Sequence, residues 1–158
     1  MYKQLAGAPY RIAAADPEQA EASAVLAQLS AALAAISGDS GAASFDAGDV
    51  RGPASLFVLA WDASGQAVGC GGFRPLEPGV AEVKRMYAQP GTAGVGAAIL
   101  AHLEAAALEL GYRSLRLETR LVNARAVTFY ENRGYRRIPN FGKYVGRAEA
   151  VCFEKALQ

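Results

Sequence analysis

The sequence predicts a single α/β domain with a mixed, mostly antiparallel sheet. Three observations support this class. The chain has 158 residues, about the size of one domain. Its first half contains short apolar strands separated by turn sequences, and its second half alternates helical and strand patterns. With 52% hydrophobic and 20% charged residues, the chain can bury a core without a disulfide or a metal.

The predicted elements follow from hydrophobic periodicity and from the turn residues between segments. In chain order we expect a strand, a helix, a loop, three strands, a helix, a strand, a helix and two closing strands, at residues 10–14, 16–37, 39–53, 55–61, 66–73, 80–88, 97–110, 115–119, 123–133, 135–138 and 150–154. The loop is rich in Gly, Ser, Ala and Asp, and one helical turn is expected at residues 46–50.

The first helix is indicated by its boundaries and by one apolar stripe. Asp16-Pro17-Glu18 combines an N-cap residue, proline at the first helical position and an acid in the first turn, and Gly38 is the stop signal. Large apolar side chains recur at helical spacing, at Val25, Leu29, Leu33 and Ile36. The uncharged stretch is shorter than the roughly 20 residues that span a bilayer, so we expect a helix lying on a core.

The three strands after the loop are predicted to form antiparallel pairs. Asp62-Ala-Ser-Gly65 is a turn sequence inside the first hairpin, and Glu77-Pro-Gly79 precedes the third strand. Regular alternation along strand 80–88 predicts two faces. One face would carry Glu82, Lys84, Met86 and Ala88, and the other Val83, Arg85 and Tyr87.

The second half of the chain alternates helices with strands. Helix 97–110 ends at Gly111 and helix 123–133 ends at Gly134, and each has one apolar face. A strand separates them, and two closing strands follow on either side of a loop that holds Phe141 and Tyr144. This order is that of a mixed α/β layer.

Composition excludes several functional classes. The formal net charge is +1, which favours neither nucleic acid nor a membrane surface as a partner. Cys70 and Cys152 have no metal-ligand or disulfide-framework spacing, and His102 is the single histidine. We therefore expect a cytoplasmic protein without a metal, with both cysteines in the core and His102 on the surface.

The most informative segment is a glycine-rich loop between strand 80–88 and the following helix. Such a junction directs backbone N–H groups and the positive end of a helix dipole at one point, which suits a phosphate or pyrophosphate. A plain strand-to-helix turn is an equal alternative. A Walker A ending is absent, and a Rossmann fingerprint fits Gly94-Val-Gly-Ala-Ala-Ile99 except at Ile99, with Glu118 at the acidic position.

Two blocks resemble the GNAT superfamily of acetyl-CoA-dependent N-acetyltransferases. Gly94 and Gly96 match the end of the family's Q/R-x-x-G-x-G/A loop. Asn123-Ala-Arg-Ala-Val-Thr-Phe-Tyr-Glu-Asn-Arg-Gly-Tyr135 resembles its N-x-x-A-x-x-F-Y-x-x-x-G-F/Y block at every fixed position. The resemblance covers most of the chain from about residue 10. It implies one N-acetyltransferase domain over residues 1–158, with helices flanking a sheet that splays between strands 80–88 and 115–119.

The resemblance also implies where acetyl-CoA binds. Backbone groups of the strand would pair with the pantetheine arm, and the loop and helix amides would hold the pyrophosphate. The implied cofactor-binding residues are Met86, Tyr87, Ala88, Gly91, Gly94, Val95, Gly96, Ala97, Asn123 and Tyr130. Gly91 departs from the family pattern, because a glutamine or an arginine usually stands there. The loop is also about two residues shorter than is common.

Acyl transfer to an amine needs a base, an oxyanion donor and an acid for the leaving thiolate. The resemblance places the acid at Tyr130, which the sequence alone would assign to a core. Glu82, on the strand entering the loop, is the expected base, with a salt bridge to Lys84 or Arg85 as an equal alternative. Glu118 is the reserve candidate for the base.

The expected acceptor is a primary amine of a small molecule, which would attack the thioester carbonyl carbon of acetyl-CoA directly. Arg74, Lys84 and Arg85 would favour an acceptor that carries an anion, and Phe45 and Tyr144 could wall its pocket. Association as a homodimer stays open. Two alternatives from other classes remain: a degenerate coenzyme-A-binding module without catalysis, and a Rossmann-type dinucleotide binder.

Overall fold

The structure is a computed structural model, and it describes residues 10–158. The elements are β1 Arg11–Ala14, α1 Ala20–Ser37, β2 Leu56–Trp61, β3 Ala67–Glu77, β4 Val80–Ala88, α2 Val95–Glu109, β5 Ser114–Arg120, α3 Ala124–Glu131, β6 Arg136–Ile138 and β7 Ala150–Ala156. Single 3₁₀ turns occur at Ala42–Ser44, Ala47–Val50 and Gly142–Tyr144. The predicted order of elements is therefore confirmed over the described residues.

The strands form one seven-stranded sheet in the order β1-β2-β3-β4-β5-β7-β6. Neighbouring strands pair antiparallel except β4 and β5. That parallel pairing covers only residues 80–82 against 114–116, although both strands continue beyond it. The sheet is therefore splayed between β4 and β5, as the resemblance implied. This mainly antiparallel order excludes the Rossmann alternative, which requires a parallel sheet.

The sheet separates two helical layers. α2 and α3 cover one face, where Ile99, Leu103 and Val127 belong to the largest buried cluster. α1 covers the other face through Ala22 and Val25. By length and composition α1 could also cross a membrane, but that test is equally passed by the core helix of a globular domain.

α2 lies unusually close to β3 because glycines line that strand. A Cβ at Gly69 would come within 2.8 Å of Val95 Cγ1 and 2.9 Å of Ile99 Cδ1. A Cβ at Gly71 would lie 2.6 Å from Met86 Sδ and 3.0 Å from Ile99 Cγ2. Side chains on these glycines would therefore push the helix away from the sheet.

Two boundaries differ by four residues from the sequence prediction, and the others by no more than two. α1 begins at Ala20 and not at Asp16, because Asp16 closes a turn in which its carboxylate accepts a hydrogen bond from the Glu18 amide. Its predicted end is confirmed, since Gly38 adopts φ +80° and donates to the Ala34 carbonyl oxygen. β3 continues past its predicted end at residue 73, through Pro75 to Glu77. Its pairing with β4 shifts register between Pro75 and Glu77.

The predicted alternation along β4 is wrong beyond Lys84. Arg85 adopts φ +58°, and the pairing with β3 shifts between Cys70 and Gly72, which marks a bulge. Arg85 consequently reaches α1, where its guanidinium donates to Ser30 Oγ. Met86 then packs with the cluster under α2, on the face opposite to the one that carries Glu82 and Lys84. One extra residue in the strand reverses the facing of every later side chain.

Candidate active site

The splay opens a long cleft between β4, α1, α2 and α3. Its volume is about 460 Å³, and its walls include residues 86–92. Nine of the ten predicted cofactor-binding residues line it: Met86, Tyr87, Ala88, Gly91, Gly94, Gly96, Ala97, Asn123 and Tyr130. The tenth, Val95, has a fully buried side chain. Val95 therefore presents no surface to a ligand in the cleft.

The N-terminus of α2 provides donors at one end of this cleft. Gly94 is its N-cap, with φ +78° and no side-chain cap, and Ala98 N donates to Gly94 O at 3.0 Å. Helix geometry leaves the preceding amides, those of Val95, Gly96 and Ala97, without intrahelical partners. Of these, the amides of Gly96 and Ala97 belong to residues that line the cleft, and at the positive end of a helix dipole they are chemically suited to a pyrophosphate.

The glycine at position 96 permits close packing between α2 and α3. A Cβ added there would lie 3.4 Å from Phe129 Cε1 and Cζ. A side chain at position 96 would therefore point at α3. The position that requires glycine for its backbone angles is Gly94. Gly91 also has positive φ, +84°, with nothing within 4 Å of an added Cβ.

Two basic side chains that were not among the predicted site residues reach the cleft, one from α3 and one from the turn that follows it. Arg125 and Arg133 line the same walls as the glycine-rich loop. The Arg133 guanidinium stacks over the Phe129 ring at 4.1 Å and donates to the Phe129 carbonyl oxygen at 3.2 Å. Arg133 follows Phe129 by four residues within the predicted helix 123–133, and this spacing was the signal that could have placed it beside that ring.

The open edge of β4 gives the cleft its second set of polar groups. From Val83 onward β4 has no partner strand on the β5 side. Its backbone groups at Met86, Tyr87 and Ala88 can therefore pair with amides of an extended ligand as a neighbouring strand would. Free amides at one end and an open strand edge along one wall fit the pyrophosphate and the pantetheine arm of a coenzyme A thioester.

Tyr130 lies where this cleft meets an inner cavity of about 140 Å³ between β4 and β5. Its ring is buried and contacts Phe129 and Tyr135 edge-on, with centroids 5.1 and 5.7 Å away. Within residues 10–158 its hydroxyl has no hydrogen-bond partner. Burial raises the pKa of Tyr130, so the phenol keeps its proton at neutral pH.

Glu82 is held by a buried network behind the inner cavity and is not one of the residues that line it. Only 1% of it is exposed. Arg74 Nε donates to Glu82 Oε1 at 3.1 Å, and Arg74 Nη2 pairs with the same oxygen at 2.9 Å. The Tyr144 hydroxyl donates to Glu82 Oε2 at 2.8 Å. Lys84 Nζ lies 3.9 Å from the same oxygen. The carboxylate thus has a complete set of partners, Arg74 among them, beyond the Lys84 bridge that the sequence suggested.

Glu118 lines both the inner cavity and an adjoining outer cavity of about 220 Å³. Arg120 Nη1 lies 3.2 Å from its carboxylate, and Arg120 also pairs with Asp39 at 2.6 Å. Burial raises the pKa of Glu118, opposed by the Arg120 charge. A carboxylate with a raised pKa, facing a cavity, has the properties of a general base.

Cationic groups occupy the opposite walls of the two cavities. Lys84 and Arg85 line the inner one, and Lys143 and Arg147 line the outer one. Tyr144 lines both cavities, as expected for an acceptor wall. Phe45 lines neither of them and packs in the cluster under α1. Arg74 is engaged by Glu82 and lines neither cavity either.

Fold and site together define an enzyme class that transfers an acyl group from a coenzyme A thioester. The sequence matches the acetyltransferase (GNAT) family over residues 25–135. The chain therefore belongs to the GNAT acetyltransferase family, whose acyl donor is acetyl-CoA.

Three individual relatives are informative. An "IAA acetyltransferase" from Azospirillum brasilense is 35% identical over 97 residues, which cover 60% of this chain and 63% of that protein. A provisionally named acyl-CoA N-acyltransferase from Klebsiella pneumoniae superposes with a TM-score of 0.81 at 30% identity, covering 94% of this chain and 98% of its own. A provisionally named streptothricin acetyltransferase from Bacillus anthracis, in complex with acetyl coenzyme A, has a TM-score of 0.60 at 21% identity, with 70% and 67% covered. The last of these supports the fold alone.

Proposed function

We propose that this chain is an N-acetyltransferase that moves the acetyl group of acetyl-CoA to a primary amine of a small molecule by direct attack. One observation carries the proposal. Tyr130 and Glu118 line the same inner cavity, and Tyr130 also lines the long cleft, so an acid and a base flank the junction of the two. Acetyl-CoA supplies the activated thioester. The chain supplies orientation and proton transfer.

The donor side relies on backbone groups. The amides at the start of α2 bind the pyrophosphate, and the open edge of β4 aligns the pantetheine arm toward the inner cavity. Asn123 accepts a hydrogen bond from Ala126 N at 3.2 Å as the N-cap of α3, and its side chain also borders the cleft. This N-cap holds α3, and with it Tyr130, against the donor site.

Proton transfer uses two side chains. Glu118 accepts the proton of the incoming ammonium at its carboxylate, so that the amine attacks the thioester carbonyl carbon as the carbon–sulfur bond breaks. The Tyr130 hydroxyl then donates its proton to the departing sulfur, and solvent reprotonates the phenolate. The high pKa of Tyr130 suits a group that must be protonated before transfer.

Glu82 remains the alternative base, and the geometry favours Glu118. A proton acceptor must reach the amine directly or through one water. Glu82 is buried behind the cavity wall and already accepts from Arg74 and Tyr144, whereas Glu118 faces both cavities. We infer that Glu82 fixes Tyr144 and the cationic wall while Glu118 takes the proton.

The location and assembly of the protein belong to the same proposal. Both cysteines are buried free thiols, which supports a reducing compartment such as the cytoplasm. A homodimer is compatible with the proposed chemistry, since the residues that carry it come from one chain.

The test combines binding and turnover. Millimolar acetyl-CoA should raise the Tm, because a ligand that binds only the native state stabilises it, whereas NAD and ATP should do much less. Release of free coenzyme A should then depend on an added primary amine. A Tm shift without turnover on a broad amine panel would assign the chain as a coenzyme-A-binding module. Absence of any shift with acetyl-CoA would refute the donor site.

A further inference from the structure

Arg85 is a half-buried cation without a counter-ion among residues 10–158. Its guanidinium donates to Ser30 Oγ at 2.5 Å and to the Ser40 carbonyl oxygen at 3.1 Å, and both acceptors are neutral. Among the residues from 10 to 158 no carboxylate forms an ion pair with it. Its Nε is buried and has no hydrogen-bond partner. Arg85 lines the inner cavity.

This arrangement is costly unless a ligand compensates it. Burying a charge without an opposite charge is unfavourable, and desolvation accordingly lowers the pKa of Arg85. The residue also holds φ +58°, a left-handed conformation that L side chains rarely adopt. Backbone strain of this kind is commonly retained at ligand-binding positions. The strained bulge is what turns the guanidinium toward α1 and the cavity.

The walls around Arg85 carry an excess of positive charge. The two cavities together are lined by five cationic side chains and two carboxylates, namely Lys84, Arg85, Arg120, Lys143 and Arg147 against Asp39 and Glu118. Both carboxylates pair with Arg120. Lys84 is balanced by Glu82. Arg85 itself, with the excess of cationic over anionic side chains on these walls, therefore favours an anionic group where the acceptor must lie.

We propose that the acceptor is a small amine that also carries a carboxylate, and that Arg85 binds this carboxylate while the amine lies beside Glu118. The inference rests on the proposed N-acetyltransferase function and specifies its acceptor class. A planar guanidinium matches a carboxylate in shape and charge. The inner cavity, at about 140 Å³, suits an amino-acid-sized molecule. A polycationic amine would be repelled by the same walls.

The experiment compares matched acceptors that differ only in the carboxylate. The probes are glycine, methionine and phenylalanine, each paired with its carboxamide, with spermidine as a polycation. The amide of an amino acid has the more weakly basic amine, so more of it is unprotonated at neutral pH. A preference for the acid must then come from binding. We expect kcat/KM for at least one acid to exceed that of its amide by about tenfold, the size of one charge-assisted contact.

Two variants connect that preference to Arg85. Arg85→Gln should reduce the acid-to-amide ratio to near one through KM, and Arg85→Lys should retain part of it. Arg137→Gln is the matched control, because Arg137 is exposed and lines neither cavity. Its ratio should equal that of the parent. The comparison of each amino acid with its carboxamide is made on the parent protein, so it does not depend on whether an Arg85 variant folds.

Each outcome decides between the two proposals. Amides or spermidine acetylated as well as or better than every acid would overturn the carboxylate assignment and leave the acetyltransferase function standing. An unchanged acid-to-amide ratio in folded Arg85→Gln would overturn the role of Arg85. Tight binding of acetyl-CoA with no acetylation of any amine would instead overturn the proposed function.

Discussion

Replacing Glu82 by glutamine should destabilise the fold far more than it changes the proton-transfer chemistry. The change keeps the size of the side chain and removes its charge. Arg74 is 29% exposed and can turn toward water, but the Lys84 side chain is only 5% exposed and cannot. The substitution therefore leaves a buried cation beside a neutral amide.

The magnitude follows from these exposures. Removing one partner of a fully buried ion pair costs about 3–5 kcal/mol. Because Arg74 regains solvent, we expect a loss of about 2–4 kcal/mol in the free energy of unfolding, with the Tyr144 hydrogen bond weakened as part of it. For a domain of this size that corresponds to a fall in Tm of roughly 5–15 °C.

Urea denaturation of the parent and the Glu82→Gln variant measures this loss. Glu77→Gln is the control, since Glu77 is 54% exposed and its carboxylate lies 3.6 Å from Arg116 in a surface pair. Surface pairs of this kind contribute little. A double-mutant cycle of Glu82→Gln with Tyr144→Phe should show coupling, because the two groups share a 2.8 Å hydrogen bond. Equal midpoints for Glu82→Gln and the parent would refute the argument from buried charge.

Four further outcomes test the site. Tyr130→Phe should lower kcat without weakening acetyl-CoA binding or stability, since the hydroxyl has no hydrogen-bond partner among residues 10–158 to lose. An unchanged rate of the chemical step would return Tyr130 to a packing role. Because burial raises the pKa of Glu118, activity should rise with pH through a limb above the usual carboxyl range, and Glu118→Gln should flatten it; loss of that limb in Glu82→Gln instead would identify Glu82 as the base. Arg133→Met should raise the KM for acetyl-CoA several-fold while Arg137→Gln leaves it unchanged, measured by initial rates. Gly96→Val should weaken acetyl-CoA binding in calorimetry by forcing α2 from Phe129, because even a Cβ there lies 3.4 Å from the ring; parental affinity in a folded variant would mean that α2 does not hold the pyrophosphate.

Local signals in the sequence were sufficient for most of the fold. Gly38 ends α1, as its conformational freedom suggests, and the turn at 62–65 fixes the first hairpin. α2 begins at Val95, two residues before its predicted start. The α1 boundary was wrong because Asp16 caps a turn in place of the helix. An aspartate that caps a turn and one that caps a helix N-terminus look the same in the sequence.

The site was harder to predict, for two physical reasons. The bulge at Arg85 inserts one residue into a strand, and no local pattern in β4 signals it. One partner of Glu82 comes from far along the chain, since Tyr144 is 62 residues away. Strand alternation and short motifs describe neighbours in sequence, so they could not distinguish a satisfied structural carboxylate from one that faces a cavity.

The glycines of β3 have a consequence for how this enzyme tolerates change. Gly69 and Gly71 are not among the predicted cofactor-binding residues, yet their missing side chains set the distance between α2 and the sheet. The free amides at the start of α2 and the open edge of β4 must stand at a fixed separation, because one thioester molecule spans both. A methyl group added at either glycine would change that separation while leaving every proposed catalytic side chain intact. Loss of donor affinity can thus arise from substitutions in a strand that lies behind the site.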